Sequence, residues 1–279
     1  MISDSSSTPG PLSPGNVVSA ALRIYRDRFK TYFGLSARAC LWLLVPVYGW
    51  AKYGMHTGLI ARMAYQELIN QPETPKQAYQ QVNPKLWSFL GLGILFILIF
   101  IATYIVLGIA AVIVSLIVST LLGPFLSLIG PSGVLITSII GGLLFLAIFF
   151  FGLLWMASRL FLVEVPLALE PGNDATKSIG RSWALTKNSI VRIQLVVLAT
   201  YLITLPLLLL TGILPQLLLL PRFEPGTAVY SIVYLILFAV SLAGSMVVLP
   251  FWQAAKGVLY YDLRSRREGL DLQIQPTDI

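Results

Sequence analysis

Arg38, Lys52 and His56 are the only basic side chains between Lys30 and Arg62, and no carboxylate falls in that stretch. Basic groups grouped in this way can converge on a phosphate or a carboxylate, so one reading is a pocket for a phospholipid headgroup or an anionic solute. An ionisable group at membrane depth costs at least ~2.5 kcal/mol on insertion scales and normally faces a cavity, a partner or a headgroup. In the plainer reading, Arg38 and Lys52 snorkel to the membrane surface and His56 is hydrogen-bonded within the packing. Residue types alone leave both open.

A second polar group gathers Arg181 and Trp183 with Asp262, Arg264, Arg266, Arg267 and Glu268. Asp262 with Arg266, and Arg264 with Glu268, are spaced to pair along one helix, each pair contributing a few tenths of a kcal/mol. One reading is a solvated, charge-laced helix end anchored by aromatic rings at the interface. In the other, Arg181, Trp183, Arg264 and Arg267 form a docking surface for an anionic lipid or a cytoplasmic partner.

Other chemistry finds little footing. The single cysteine, Cys40, has no partner for an internal disulfide, and there is no Cys/His cluster of metal-ligand spacing, so neither metal nor cofactor is expected. Ser132 stands between Gly130-Pro131 and Gly133, which reads as a turn, far from the sole histidine. The net charge of +7 sits beside apolar stretches instead of in a groove with stacking aromatics, so no nucleic acid is expected.

The elements that must position these groups are membrane helices. The chain is 57% hydrophobic and 11% charged, with a mean hydropathy of +0.81. Residues 86–158, 73 in a row, contain no Asp, Glu, Lys or Arg. A ~30 Å hydrocarbon core takes ~20 apolar helical residues, so this run holds two crossings, with a turn expected over 123–133. Pro206, Pro215 and Pro221 predict an irregular connection in the last hairpin. Ala239, Ala243 and Gly244 offer a small-residue face for helix packing or dimerisation.

Self-comparison at an offset of 97 aligns Arg62, Arg159 and Lys256, and also Glu67 with Glu164, Glu73 with Glu170, and Trp155 with Trp252. We read three hairpin pseudo-repeats, over about 16–70, 71–170 and 171–268, each closed by one of the three aligned basic residues. Residues 1–15 read as a disordered leader and 269–279 as a flexible tail. Each unit is expected to open on an interfacial amphipathic helix. The predicted stripes are Val18, Leu22, Tyr25 and Phe29 in the first and Ile179, Trp183 and Ile190 in the third; Thr74-Pro75-Lys76-Gln77 fits a capping box in the second. The fold class is therefore all-α, a polytopic helical bundle.

The first hairpin is short. Either it is re-entrant, with its tip at 45–49, or one span runs from Thr31 to Tyr48. Sixteen of the nineteen Lys and Arg lie in 1–30, 62–85, 159–192 and 256–279, which an even number of crossings keeps on one side. The positive-inside rule makes that side, and both termini, cytoplasmic and favours the re-entrant form.

Residues 159–192 and 250–272, with their RSW-x-L-T and LYYDLR-x-RREG elements, and the opening 11–34, resemble the glycerophosphoryl diester phosphodiesterase membrane-domain family. The resemblance implies a stand-alone membrane domain, as in relatives from photosynthetic bacteria, seated in a plasma (inner) or thylakoid membrane. The hydrolase fused to some relatives needs paired histidines around a divalent metal, whereas this chain has His56 alone, so no phosphodiesterase activity is implied. The function expected is that of a non-enzymatic scaffold, assembly factor or accessory subunit of a membrane complex. Its partners would be anionic membrane lipids, a membrane protein or a second copy of the chain. The alternative is a carrier or flippase for an anionic lipid or amphiphile.

Overall fold

The computed structural model describes residues 12–269, and among them every regular element is a helix. The predicted leader lies mostly outside the described residues, as does nearly all of the predicted tail. The first helix, α1 (Pro14–Asp27), begins two residues earlier than expected because Ser13 caps it, its hydroxyl accepting the Asn16 N–H at 3.2 Å. Contacts divide the chain into two units. One comprises the chain up to Leu92 with the chain from Leu162 onward, and the other is Gly93–Phe161.

Four stretches, Pro75–Ser127, Pro131–Leu169, Ile190–Arg222 and Ala228–Glu268, are long and apolar enough to cross a membrane, and the chain is a membrane protein. In the Gly93–Phe161 unit, the long helix α5 (Leu86–Ser127) turns back into α6 (Pro131–Leu160). Apolar sequence in hydrocarbon can satisfy its backbone only by staying helical, and α5 accordingly runs through Gly123 and Pro124. The turn is narrower than the expected 123–133. The reversal occupies 128–130 and uses the positive φ of Gly130, with Pro131 starting α6. Ser115 donates to the Gly141 carbonyl at 2.9 Å, tying the two helices together within this unit.

The other unit carries the polar residues. Its first hairpin pairs α2 (Phe29–Trp42) with α3 (Tyr48–Leu68) across a turn at 43–47. No helix runs unbroken from Thr31 to Tyr48, and the 14 residues of α2 give only ~21 Å, short of a crossing. α4 (Pro75–Val82) opens on the capping box read from the sequence: the Thr74 hydroxyl accepts the Gln77 N–H, and the Gln77 side chain accepts the Thr74 N–H. After the short α7 (Glu164–Leu169) and α8 (Ala175–Thr186) comes α9 (Ile190–Leu208), which carries Pro206 and loosens into a π turn at Leu209–Ile213. α10 (Leu214–Leu219) and a 3-10 turn holding Pro221 complete the irregular connection that the prolines predict. The last helix, α11 (Ala228–Glu268), packs along α3. Gly257 makes that approach possible, since a Cβ there would lie 2.5 Å from the Ala61 carbonyl oxygen.

The amphipathic stripes are redistributed by this packing. α1 turns Val17, Val18, Ala21, Ile24 and Tyr25 inward against α11 and α9, while Leu22 and Phe29 are exposed, and the helix breaks at Arg28 so that Phe29 belongs to α2. In α8 the inward side is Ser178, Ser182, Leu185 and Thr186, and Trp183 faces outward. Ile190 belongs to α9. Gly244 is used within the chain, directly against Thr211 of the π turn, and Ser241 donates to the Thr211 carbonyl at 2.9 Å.

Candidate functional site

Lys52 stands on α3 at 7% exposure. Its ammonium donates to the Tyr79 hydroxyl at 2.9 Å and to Asn83 Oδ1 at 3.1 Å. The rings of Tyr48 and Tyr79 lie 5.4 and 5.3 Å away, close enough for cation–π attraction. These neutral groups replace much of the lost hydration, but among the described residues no carboxylate pairs with the charge. His56 follows one turn later, and its Nδ1 donates to the Lys52 carbonyl at 2.7 Å, since a carbonyl can only accept. That fixes the imidazole in the packing, as the plainer reading holds. Arg38, across the hairpin on α2, is exposed and has no hydrogen bond or ion pair among the described residues. Lys52 and His56 are thus adjacent and buried, and Arg38 stands open.

The basic residues nearer the chain's polar segments behave differently. Asp262, fully buried on α11, receives Arg192 from the start of α9 at 2.7 Å and Arg266 from its own helix at 3.1 Å. It also accepts the Leu12 N–H at 2.7 Å, and both arginines donate to the Leu12 carbonyl. Glu170 at the end of α7 receives Arg181 at 2.9 Å and the Tyr260 hydroxyl. Arg181 reaches on to Glu268, which Arg264 grips at 2.6 Å. The burial that would weaken the Arg181 charge is outweighed by Glu268 and Glu170, so its pKa rises above the ordinary guanidinium range. Arg267 donates to the Lys187 carbonyl at the end of α8. Of the four residues expected to form a docking surface, Arg181 and Arg264 are therefore tied to carboxylates of the fold, while Arg267 and Trp183 are exposed.

The aligned basic residues also separate. Arg62 grips Glu73 with two bonds of 2.6 and 2.8 Å and donates to the Ala168 carbonyl at 2.8 Å. Lys256 meets Glu164 at 2.7 Å. Arg159 lies 5.4 Å from the Trp155 ring centre in the Gly93–Phe161 unit. Arg28 binds Glu67 at 3.2 Å, and burial holds the Glu67 carboxyl above its usual range despite that cation. Lys85 closes the layer by donating to the Leu167 and Glu170 carbonyls.

Both helical i,i+4 pairs expected on α11 are present. What residue spacing missed is the long-range set: Arg192 on Asp262, Arg181 on Glu170, and Tyr79 with Asn83 on Lys52. Their only sequence trace is the recurrence of Glu73 and Glu170 at the 97-residue offset, which marks carboxylates used by the fold without naming their partners.

A family model described as a domain of unknown function, DUF7847, matches residues 38–263, the greater part of the chain and all three of Arg38, Lys52 and His56. No curated protein matches the chain, and neither does any solved structure. The resemblance to the glycerophosphoryl diester phosphodiesterase membrane-domain family therefore rests on the segments quoted for it.

Proposed function

The chain belongs to the DUF7847 family, and from that starting point we propose that it is a non-enzymatic integral membrane protein acting as a scaffold, assembly factor or accessory subunit of a membrane complex. The observation that carries the reading is the fate of the carboxylates. Glu73, Glu164, Glu170, Asp262 and Glu268 are each bound by an Arg or Lys from another part of the chain. A carboxylate committed in this way is a clamp and is poorly placed to exchange protons with a substrate. Much of the surface left over for interaction is apolar. On α5 the exposed residues Tyr104, Ile105, Ile109 and Ile113 surround a shallow hollow at Gly108, which suits a membrane-embedded partner helix.

The segments around Arg28, Arg62, Lys85, Arg181 and Lys256 are linked by these bonds in one unit, which supports placing them on one side of the membrane. By the positive-inside rule that side is cytoplasmic, and the membrane is the plasma (inner) or thylakoid membrane. Kinship with the glycerophosphoryl diester phosphodiesterase membrane domains forms part of the same proposal, without the hydrolase.

The test is native mass spectrometry with proteomics on the protein taken from its own membranes in mild detergent, alongside a Gly108→Leu variant. A Cβ at Gly108 meets nothing within 4 Å, so the variant fills the hollow without disturbing the chain's own packing. The expected result is a stoichiometric membrane-protein partner that Gly108→Leu loses. A lone protomer from both preparations overturns the scaffold reading. The carrier alternative draws support from the π turn at Leu209–Ile213, an irregular turn within an apolar helical segment of the kind often found at functional sites. Lipid scrambling by the protein in liposomes would favour it.

A further inference from the structure

We propose that the tip of the first hairpin is a phospholipid headgroup site, in which Arg38 and Lys52 take the phosphate of an anionic lipid while Trp42, Tyr48, Trp50 and Trp87 seat the tip in the membrane interface. The proposal does not rest on the scaffold reading.

Charge is the first argument. Arg28, Arg62, Arg181, Arg192, Lys256, Arg264 and Arg266 each have a carboxylate in the fold. Lys52 is buried on two neutral oxygens and two rings, and Arg38 is exposed with no hydrogen-bond or ion-pair partner among the described residues. A buried ammonium held only by neutral groups, with an arginine left open on the facing helix, suits an anion from outside the chain.

Their placement is the second. Arg38 is seven residues before Val45, at the centre of the turn, and Lys52 is seven after it, so the antiparallel pairing of α2 and α3 sets them at one level of the hairpin. With its Nδ1 bonded to the Lys52 carbonyl, the His56 imidazole holds the helix turn that carries the ammonium.

The third argument identifies the occupant. The Tyr48 ring packs 6.4 Å from Trp87, the second residue of α5, just after Lys85 and at the start of the uncharged run. The tip is therefore level with the point where α5 enters the bilayer, which is where Trp and Tyr concentrate. Trp42 stacks edge-on against Tyr48 at 5.5 Å, while Trp50 and Trp87 are 51% and 60% exposed. Leu41, Leu44 and Val47 at the tip are also more than half exposed. A soluble anion has no use for such an apolar and aromatic rim, whereas a lipid supplies phosphate and acyl chain together.

The experiment uses the full-length protein in detergent micelles containing equimolar phosphatidylglycerol and phosphatidylcholine of identical acyl chains, read by native mass spectrometry. Arg38→Gln is the main variant, because no partner among the described residues is lost with it, and Arg38→Lys tests rescue by charge. The expected result is one preferentially retained phosphatidylglycerol, a roughly fivefold weaker preference in Arg38→Gln, and recovery in Arg38→Lys. Equal retention of both lipids by the parent protein overturns the proposal. So does an unchanged preference in Arg38→Gln, or displacement of the retained lipid by millimolar inorganic phosphate alone, which would mark a site for free anions.

Discussion

Replacing Asp262 with Asn removes one charge from the centre of the polar layer while keeping its shape. The side chain is fully buried, and the charge it neutralises is shared between Arg192, whose side chain is 21% exposed, and Arg266, at 36%. Removing one member of a buried pair costs ~3–5 kcal/mol because the other is left uncompensated. Both arginines retain some access to water, and Asn can still accept the Leu12 N–H, so the expected loss is ~2–4 kcal/mol. At ~2–4 °C per kcal/mol for a chain of this size, the midpoint of thermal unfolding in mild detergent should fall by roughly 4–16 °C. Arg266→Gln, at the exposed end of an i,i+4 pair, should cost no more than ~0.5 kcal/mol. Because Leu12 is held by Asp262, Arg192 and Arg266 together, the Asn variant should also be cut faster by protease near residue 12. Equal midpoints for Asp262→Asn and the parent, or an Arg266→Gln variant as damaged as Asp262→Asn, would refute the claim that this carboxylate is the hub of the layer.

Gly257→Val should destabilise by ~1–3 kcal/mol, since its side chain must displace the α3 backbone at Ala61 and Tyr65; an unchanged unfolding midpoint would show that α3 and α11 do not cross there. Glu170→Gln should cost ~1–2 kcal/mol by weakening the bonds from Arg181 and Tyr260, and double-mutant coupling with Arg181→Gln should be clear, with simple additivity counting against the link. At the start of α8, the Lys177 and Thr176 bonds hold the Asp174 carboxyl below its ordinary value of 3.8. A depressed folded pKa contributes stability that is present above that ordinary value and lost as pH falls through the folded one. Amide exchange at Lys177, corrected for intrinsic rate, should therefore lose protection below about pH 3.8 and keep it at neutral pH, and Asp174→Ala should abolish the dependence.

Membrane helices and their irregular break were legible because single residues decide them: an uncharged run has one solvent that suits it, and Pro206, Pro215 and Pro221 interrupt α9 and the segment after it wherever the two pack. Thr74 and Gln77 announced their capping box for the same local reason. The stripe on α1 was half right, with Val18 and Tyr25 buried and Leu22 exposed, because Leu22 and Val17 are equally apolar and only the neighbours α9 and α11 choose which one is buried. At the site, Lys52 and His56 were singled out by charge in apolar surroundings, but Tyr79 and Asn83 were not, since nothing in the short polar segment of α4 and the turn after it reveals which side chain it presents to a lysine some 30 residues earlier. The partners of Arg181 were hidden for the converse reason: Glu170 and Glu268 lie on other elements, and only the packing of α7, α8 and α11 brings the groups together.

In the proposed topology the basic segments lie on one side of the membrane and the first hairpin does not cross it. Single cysteines at Lys76, Lys187, Leu128, Gly226 and Val45, placed in a Cys40→Ser background and probed with a membrane-impermeant maleimide in right-side-out and inverted vesicles, test this directly. Positions 76 and 187 should label only from the cytoplasmic side, 128 and 226 only from the opposite side, and 45 never from the opposite side. Opposite sidedness for 76 and 187, or labelling of 45 from the side that reaches 128 and 226, would contradict that topology.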